Sequence, residues 1–360
     1  MKANPFTPGF GSQPPVIVGR DDVIERMRTV FEGFDARNVH WAALLRAHRG
    51  AGKTVLLDEI QDLAAAAGWW VLQEDAGAGP PLAARVVDRA LARLAELRPP
   101  PKRRVTEVGA GGAHISVEAV TPQTRITSVR DVLERLVAAE RNGVLLSIDE
   151  IHNASDATLD ELGNAVQHLH RQRLPFAVVL AGLPTSDRRA EPTFLARCQH
   201  PRIGPVDDAE IERGLVETAA VSGTVFEPRA LLRAVSFAAG QPYMMQLVGY
   251  HAWEHADDKA LITVSDVTAA TSPAQAEFDR AVTSQIVAKV SPDQRRFLEA
   301  MADLGMPARI GDIRERYGWS SQQAGTYRQR LMDAGAIRPA GHGLLEFAIP
   351  GLGAYVTSNE

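Results

Sequence analysis

Apolar positions along the first half of the chain follow two different periods. Short apolar runs at 41–46, 69–73, 144–148 and 176–181 predict β-strands. Stretches with apolar residues at every third or fourth position lie between these runs and predict helices. The predicted helices are 21–34, 53–67, 82–97, 129–142 and 157–171. Strands that alternate with helices indicate an α/β fold, a parallel sheet flanked by helices, for residues 16–206.

The rest of the chain departs from this alternation. Residues 1–15 contain proline, glycine and asparagine and predict an irregular arm. A triple proline interrupts the core at 99–101, and two strand-like runs around a glycine-rich turn then predict an inserted β-hairpin at about 98–127. Residues 207–272 are wholly helical in pattern and predict a helical lid over the core.

The last segment, 285–360, predicts a domain of its own. Ser291 and Ser320 are helix-capping residues, and the apolar pattern indicates three helices followed by a hairpin of 336–339 with 344–349. This order is typical of the winged helix, a variant of the helix-turn-helix. Its third helix would then enter the major groove of double-stranded DNA with Gln322, Gln323, Thr326, Arg328 and Arg330.

Composition limits the classes of function that remain. The 360 residues allow two or three domains, and a net charge of −5 gives no overall basic field for nucleic acid. Residues 291–360 also hold eight basic and eight acidic side chains, so docking of a partner protein stays open beside DNA contact. A single cysteine excludes an intrachain disulfide, and no run is long and apolar enough for a membrane span. The first residues lack an apolar secretion signal, which predicts a cytoplasmic protein.

A glycine-rich loop follows the first predicted strand and opens the next helix. Gly50 and Gly52 let the backbone curl so that its N–H groups face an anion, and the helix adds its positive dipole end. Lys53 can reach terminal phosphates and the Thr54 hydroxyl can hold Mg²⁺. The motif G-x-x-x-x-G-K-[ST] is matched except at its first position, which is Ala47. The loop residues expected to contact a nucleotide are Arg49, Gly50, Ala51, Gly52, Lys53, Thr54 and Val55.

Two carboxylates end the apolar strand 144–148. Asp149 is placed to help hold Mg²⁺, and Glu150 to polarise an attacking water as a general base. A strand that ends in a polar loop is common, but its combination with the phosphate loop is specific. The sequence therefore predicts a P-loop ATPase.

These motifs resemble those of the AAA+ family. Gly50–Thr54 is similar to its Walker A motif, and Ile148-Asp149-Glu150 to its Walker B motif. Val18-Gly19-Arg20 resembles the nucleotide-base motif of that family. The similarity covers nearly the whole chain and is strongest with origin-recognition and replication-initiator ATPases that carry a C-terminal winged helix. The resemblance implies ATP and Mg²⁺ as ligands and a homo-oligomer or partner protein.

The resemblance also assigns further site residues. The strand at 176–181 and the residues after it resemble the sensor-1 region, where Thr185 or Ser186 stands in place of the usual asparagine. The turn at 239–243 resembles the sensor-2 region, where Tyr243 replaces the usual arginine. An arginine from the next subunit commonly completes such sites. Arg197 matches that position best, and its alternatives are Arg188, Arg189 and Arg202.

The expected function is a Mg²⁺-dependent ATP hydrolase that acts as a nucleotide-driven switch and contacts DNA through its winged helix. Turnover that is low or depends on a partner is compatible with the departures at Ala47 and Tyr243. The alternative is a scaffold that holds ATP or ADP without turnover and docks a partner protein, for example in a defence or mobile-element system. DNA-stimulated phosphate release distinguishes these two functions.

Overall fold

A computed structural model describes residues 3–9, 11–77, 79–97, 104–105, 117–118, 128–184 and 192–358. The strands are β1 (Ala42–Arg46), β2 (Trp70–Asp75), β3 (Arg104–Val105), β4 (Val117–Glu118), β5 (Val144–Asp149), β6 (Phe176–Gly182), β7 (Val225–Phe226), β8 (Leu261–Ile262), β9 (Ala308–Arg309), β10 (Ile337–Gly341) and β11 (Leu344–Phe347). The helices are α1 (Asp21–Glu32), α2 (Lys53–Ala66), α3 (Leu82–Leu97), α4 (Val129–Ala139), α5 (Asp156–Arg171), α6 (Thr193–Arg197), α7 (Asp208–Val221), α8 (Pro228–Ala238), α9 (Pro242–His255), α10 (Val264–Phe278), α11 (Ser284–Val287), α12 (Pro292–Leu304), α13 (Ile310–Tyr317), α14 (Ser321–Asp333) and α15 (Leu352–Ser358).

The core is a parallel sheet in the order β1-β6-β5-β2. Alternate residues of β5 face opposite sides because side chains along a strand alternate. Val144, Leu146 and Ile148 pack with α3, α4 and α5, whereas Leu145 packs with α1 and α2. Both faces of the sheet are therefore covered by helices, and the predicted α/β core is confirmed. The carboxyl ends of β1 and β5 meet at one edge, where the phosphate loop and the two carboxylates lie.

Helices α7 to α10 form the lid, and they share one continuous core with the C-terminal helices α12 to α15. The N-terminal arm also joins this core: the ring of Phe6 is 1% exposed, and Asn4 donates to the carbonyl of Tyr250 in α9 at 3.1 Å. The arm predicted as irregular has no helix or strand in residues 3–9, but it is firmly packed on the lid.

The lid is predicted to end at 272, but no helix ends there, because α10 runs through Pro273 to Phe278 and continues as a π-helical segment, Asp279–Thr283, into α11. An internal proline removes one helix hydrogen bond. Here Val267, Ala270, Ala274 and Phe278 bury one face of the helix, and this packing maintains it across the proline. One long helix thus leads from the lid to the C-terminal domain.

In the C-terminal domain, α12, α13 and α14 precede the antiparallel pair β10 and β11, and β9 adds a third strand against β11. In the inserted segment, β3 pairs antiparallel with β4. Among the described residues, no helix is both long and apolar enough to cross a membrane.

Candidate functional site

The phosphate loop joins β1 to α2 through two glycines in the left-handed region. Gly50 has φ +79° and Gly52 has φ +82°, a conformation that side chains other than glycine rarely adopt. Among the described residues, a Cβ atom on Gly52 would meet no atom within 4 Å, so the loop is open on that side. Gly52 is also the N-cap of α2, and no side chain caps it. The free N–H groups of the first helical turn therefore face this opening.

The Lys53 side chain lies within the loop. It is 8% exposed, and its Nζ donates to the carbonyl oxygens of Ala47 at 2.8 Å and His48 at 3.0 Å. Burial lowers the pKa of this amine, while Glu150 and Asp149 oppose the shift. A positive charge is thus available beside the backbone N–H groups.

Thr54 and Asp149 are brought together from elements that are far apart in sequence. The Thr54 hydroxyl donates to Asp149 Oδ2 at 2.9 Å, and Asp149 Oδ1 accepts from the N–H of Glu150 at 2.7 Å. Burial raises the pKa of the Asp58 carboxyl nearby, with added effects of Asp149 and Asp62. Oxygen ligands with concentrated negative charge are the chemistry that Mg²⁺ prefers.

Glu150 stands at the end of β5 with φ +52°, which is uncommon for a residue other than glycine. The conformation turns its side chain out of the strand direction, toward His152. Glu150 Oε2 lies 3.2 Å from His152 Nε2. Glu150 follows directly after Asp149 of the Asp149–Thr54 pair, and its charge acts on Lys53 of the loop.

The segment of Val18, Gly19 and Arg20 joins the loop to the lid. Arg20 is 4% exposed and donates to the carbonyl oxygens of Ala51 at 3.2 Å and Gly204 at 2.7 Å. The N–H of Gly19 donates to Glu210 Oε2 at 2.7 Å, which links this segment to α7. Val18 is buried in the lid core.

Tyr243 lies on the lid side of the phosphate loop. Its ring centroid is 5.9 Å from that of Phe278, and both residues would contact a Cβ atom placed on Gly50. Burial raises the pKa of the Tyr243 hydroxyl, with Glu277 adding to the shift and Arg280 opposing it. The lid thus approaches the loop with a ring and an apolar helix face at this position.

The C-terminal domain also touches the phosphate loop. Gly335 has φ +75° in the turn between α14 and β10, and a Cβ atom there would overlap the imidazole of His48. Burial lowers the pKa of His48 to about 4, with Lys53 adding to the shift and Asp333 opposing it. The side-chain amide of Gln241 in the lid also donates to the carbonyl oxygen of Ala348 in the C-terminal domain at 3.2 Å. The sequence contains no signal for the His48–Gly335 contact, because a glycine at a helix end is ordinary.

Arg197 is remote from this site within its own chain. It ends α6 and, with Trp41, His170 and Arg171, lines a surface pocket of about 330 Å³. Trp41 directly precedes β1, whereas the phosphate loop follows the last residue of β1. The length of this strand, roughly 15 Å, therefore separates the pocket from the phosphate loop. Arg197 is exposed to solvent.

The remaining predicted residues are divided between exposed and undescribed positions. In α14, Gln322, Thr326 and Arg330 are exposed and Arg328 is half-buried. Gln323 is occupied by a capping box, since its Oε1 accepts from the N–H of Ser320 at 3.0 Å. The charge of Arg49 contributes to lowering the pKa of Lys53 and that of His152. Val55 is half-buried in α2. Arg202 is exposed, while Thr185, Ser186, Arg188 and Arg189 lie outside the described residues.

Two family models match parts of the chain. Residues 16–179 match the family model described as an AAA ATPase domain, and residues 281–356 match a domain of unknown function. None of the curated proteins matches the chain.

Solved structures share the fold over nearly the whole chain. A Walker-type ATPase of Pyrococcus abyssi superposes with a TM-score of 0.64 at 14% identity, over 95% of this chain and 96% of that one. Cdc6p from Pyrobaculum aerophilum has a TM-score of 0.50 at 15% identity, over 98% of this chain and 96% of its own.

Proposed function

We propose that the chain, whose residues 16–179 match the model of an AAA ATPase domain, binds and hydrolyses ATP and uses the reaction as a switch. The observation that carries this proposal is the hydrogen bond between Thr54 and Asp149, with Glu150 and Lys53 beside it. It joins the two halves of the phosphate site that the sequence predicts separately.

The residues present fit ATP and Mg²⁺. The open inner side of the loop at Gly52 leaves room for phosphate oxygens at free N–H groups. The Thr54 hydroxyl and the Asp149 carboxylate are hard oxygen ligands that would hold Mg²⁺. When bound, Mg²⁺ neutralises charge on the phosphate oxygens. Val18, Gly19 and Arg20 would border the base, and Tyr243 would border the phosphates from the lid. Thr185 is proposed as a further phosphate contact from its place in the sequence alone.

In the proposed reaction the protein mainly positions groups and stabilises charge. Glu150 takes the proton of a water whose oxygen bonds to the γ-phosphorus, and the bond to the β-phosphate oxygen breaks as ADP leaves. Lys53 stabilises the charge that develops on the transferred phosphoryl group. Removal of the carboxylate of Glu150 would abolish proton transfer while the loop still binds ATP.

Arg197 completes the site in trans in this proposal. The length of β1 keeps it away from the phosphate loop of its own chain, and its exposed position leaves it free to approach the loop of a second copy. An arginine supplied in this way stabilises charge on the phosphoryl group and makes turnover depend on assembly. The proposed active form is therefore a homo-oligomer.

The proposed switch acts through two contacts of the phosphate loop. Gly50 lies against Val282 and Phe278 of the long helix that leads to the C-terminal domain, and His48 lies against Gly335 of that domain. A change of loop conformation during hydrolysis would alter both contacts. The position of the C-terminal domain would thereby report the state of the nucleotide.

We propose the C-terminal domain as a winged helix that contacts double-stranded DNA through α14. Its exposed Gln322, Thr326 and Arg330 offer side chains for base edges and phosphates, and Arg328 adds a charge. Gln323 contributes less, because its side chain caps the helix. Docking of a partner protein by the same surface is the competing use of this domain.

A second candidate is a scaffold that keeps its nucleotide without turnover. The observation that favours it is Tyr243, which lies beside Gly50 of the phosphate loop at the position where the AAA+ motif that it resembles usually has an arginine. Such a ring can hold the lid closed but supplies no charge to the transition state.

Phosphate release from the purified chain, with and without duplex DNA, tests these functions. A Glu150→Gln variant serves as the matched control, because it changes charge and not size. We expect turnover that DNA stimulates and that the variant loses. Tight ATP binding with no phosphate release in any condition would instead favour the scaffold.

A further inference from the structure

His152 makes one hydrogen bond and one close contact with a carboxylate, and these join three parts of the site. Its Nε2 lies 3.2 Å from Glu150 Oε2, and its Nδ1 lies 3.3 Å from the backbone nitrogen of Leu183. Leu183 follows the last residue of β6, at the same sheet edge as the phosphate loop. His152 therefore connects the carboxylate after β5 with the backbone after the neighbouring strand.

The donor at Leu183 fixes which ring nitrogen carries the proton. A backbone N–H can only donate, so Nδ1 must accept and be unprotonated. The neutral ring then has its hydrogen on Nε2, the nitrogen that lies 3.2 Å from the Glu150 carboxylate. Burial lowers the pKa of His152, so the ring is neutral at pH 7 and leaves the carboxylate free to take a proton.

The surroundings hold the ring in this orientation. The His152 side chain is 15% exposed, against 30% for that of Glu150. A Cβ atom on Gly182 would lie 2.9 Å from Ile151 Cγ2 and 3.4 Å from His152 Nδ1. Only a glycine at the end of β6 lets the short helical turn after Glu150 approach so closely.

From these contacts we propose that His152 is a positioning residue that orients the Glu150 carboxylate and couples it to the end of β6. The inference rests on the proposed function, in which Glu150 activates water. A displacement of the backbone at Leu183 would pass through the imidazole to the carboxylate. Hydrolysis would thus respond to the residues after β6 without any direct contact between them and the water.

The kinetic test compares His152→Leu with His152→Gln. Leucine removes both the hydrogen bond to Leu183 and the contact with Glu150, and we expect kcat to fall about ten- to hundredfold because part of the general-base contribution is lost. The KM for ATP should stay within about twofold, since Glu150 acts on the transition state. Glutamine offers an amide oxygen to Leu183 and an amide N–H to Glu150, and it should restore kcat to within about threefold of the wild type. Gly182→Ala, which crowds the ring from the other side, should lower kcat in the same direction as leucine.

Equal kcat values for wild type and His152→Leu, with Glu150→Gln inactive, would overturn the inference and leave the proposed function intact. A rise in KM alone, or a His152→Gln variant as slow as His152→Leu, would also overturn it. A wild-type chain without turnover would refute the proposed function instead.

A measurement independent of turnover separates these cases. In protein labelled with ¹⁵N-histidine, the spectrum at pH 7 should show His152 as the neutral tautomer with hydrogen on Nε2. Glu150→Ala removes the carboxylate beside Nε2 and should shift that nitrogen resonance. Arg49, Lys53 and Lys289 also act on the ring, and they are unchanged in this variant. Hydrogen on Nδ1, or a resonance that Glu150→Ala leaves in place, would refute the contact whether or not ATP is hydrolysed.

Discussion

The contact between Gly335 and His48 is the most direct link between the C-terminal domain and the phosphate loop, and Gly335→Ala tests it. The added methyl group would overlap the His48 imidazole, so one of the two must move. Forcing extra volume into a packed contact costs about 1–3 kcal/mol. The left-handed backbone of Gly335, with φ +75°, adds roughly 1–2 kcal/mol for any other residue.

Gly318→Ala is a matched control for the backbone cost. Gly318 lies in the same domain with φ +65°, and a Cβ atom there would meet nothing within 4 Å. The difference between the two variants in the free energy of unfolding therefore isolates the contact with His48. We expect Gly335→Ala to be less stable than Gly318→Ala by about 1–3 kcal/mol in denaturant titrations. We also expect Gly335→Ala alone to lose DNA stimulation of phosphate release. Equal stability and equal stimulation in the two variants would refute the coupling through this contact.

Three further predictions concern other parts of the molecule. Burial lowers the pKa of His48 from its ordinary value of 6.5 to about 4, so the unfolded chain takes up the proton first as the pH falls. The free energy of unfolding should therefore drop between about pH 6.5 and 4, by up to about 3 kcal/mol. In denaturant titrations, His48→Gln should flatten this pH dependence. A Cβ atom on Gly249 would overlap the buried ring of Phe6, whereas a Cβ atom on Gly325 in α14 would meet none of the described residues within 4 Å. Gly249→Ala should therefore destabilise the fold and expose the N-terminal arm to protease, and Gly325→Ala should do neither. Arg197→Ala should keep the affinity for ATP but lose on the order of 10³-fold in turnover, and wild-type activity per chain should rise with protein concentration; activity that is undiminished in the variant would exclude a role in trans.

Much of the core can be predicted from sequence because local signals agree there. The apolar runs predict β1, β2, β5 and β6 to within two residues at each end. The capping residues Ser291 and Ser320 also mark the starts of α12 and α14, where the structure shows both as capping boxes. In these segments periodicity and end signals favour the same element, so tertiary packing changes little.

The differences arise where packing outweighs a local signal or where the element is short. Pro273 predicts a helix end, but four buried apolar residues of α10 maintain the helix through it. Strand β9 has two residues and no periodicity to detect, and its pairing with β11 is a tertiary contact. The arm around Phe6 shows no regular pattern, yet a single ring inserted over Gly249 fixes it to the lid.

The candidate site divides in the same way. Its phosphate loop and carboxylates are contiguous motifs, so the sequence alone predicts Lys53, Thr54, Asp149 and Glu150. His152 and His48 act through partners that come from other elements, Leu183 and Gly335, and a sequence pattern carries no record of those distances. The histidine two positions after Glu150 was nevertheless a usable signal, because a titratable side chain beside a proposed general base is a candidate for orienting it.

In the proposed function, ATP held by the phosphate loop is hydrolysed with Glu150 as the general base. The most direct test of this function is the identity of the nucleotide that stays bound after the protein is incubated with ATP and Mg²⁺ and then separated from free nucleotide. We expect ADP on the wild-type chain and intact ATP on Glu150→Gln, with no nucleotide on a Lys53→Ala variant. Intact ATP on both the wild type and Glu150→Gln would contradict hydrolysis, and nucleotide retained equally by Lys53→Ala would contradict the site itself.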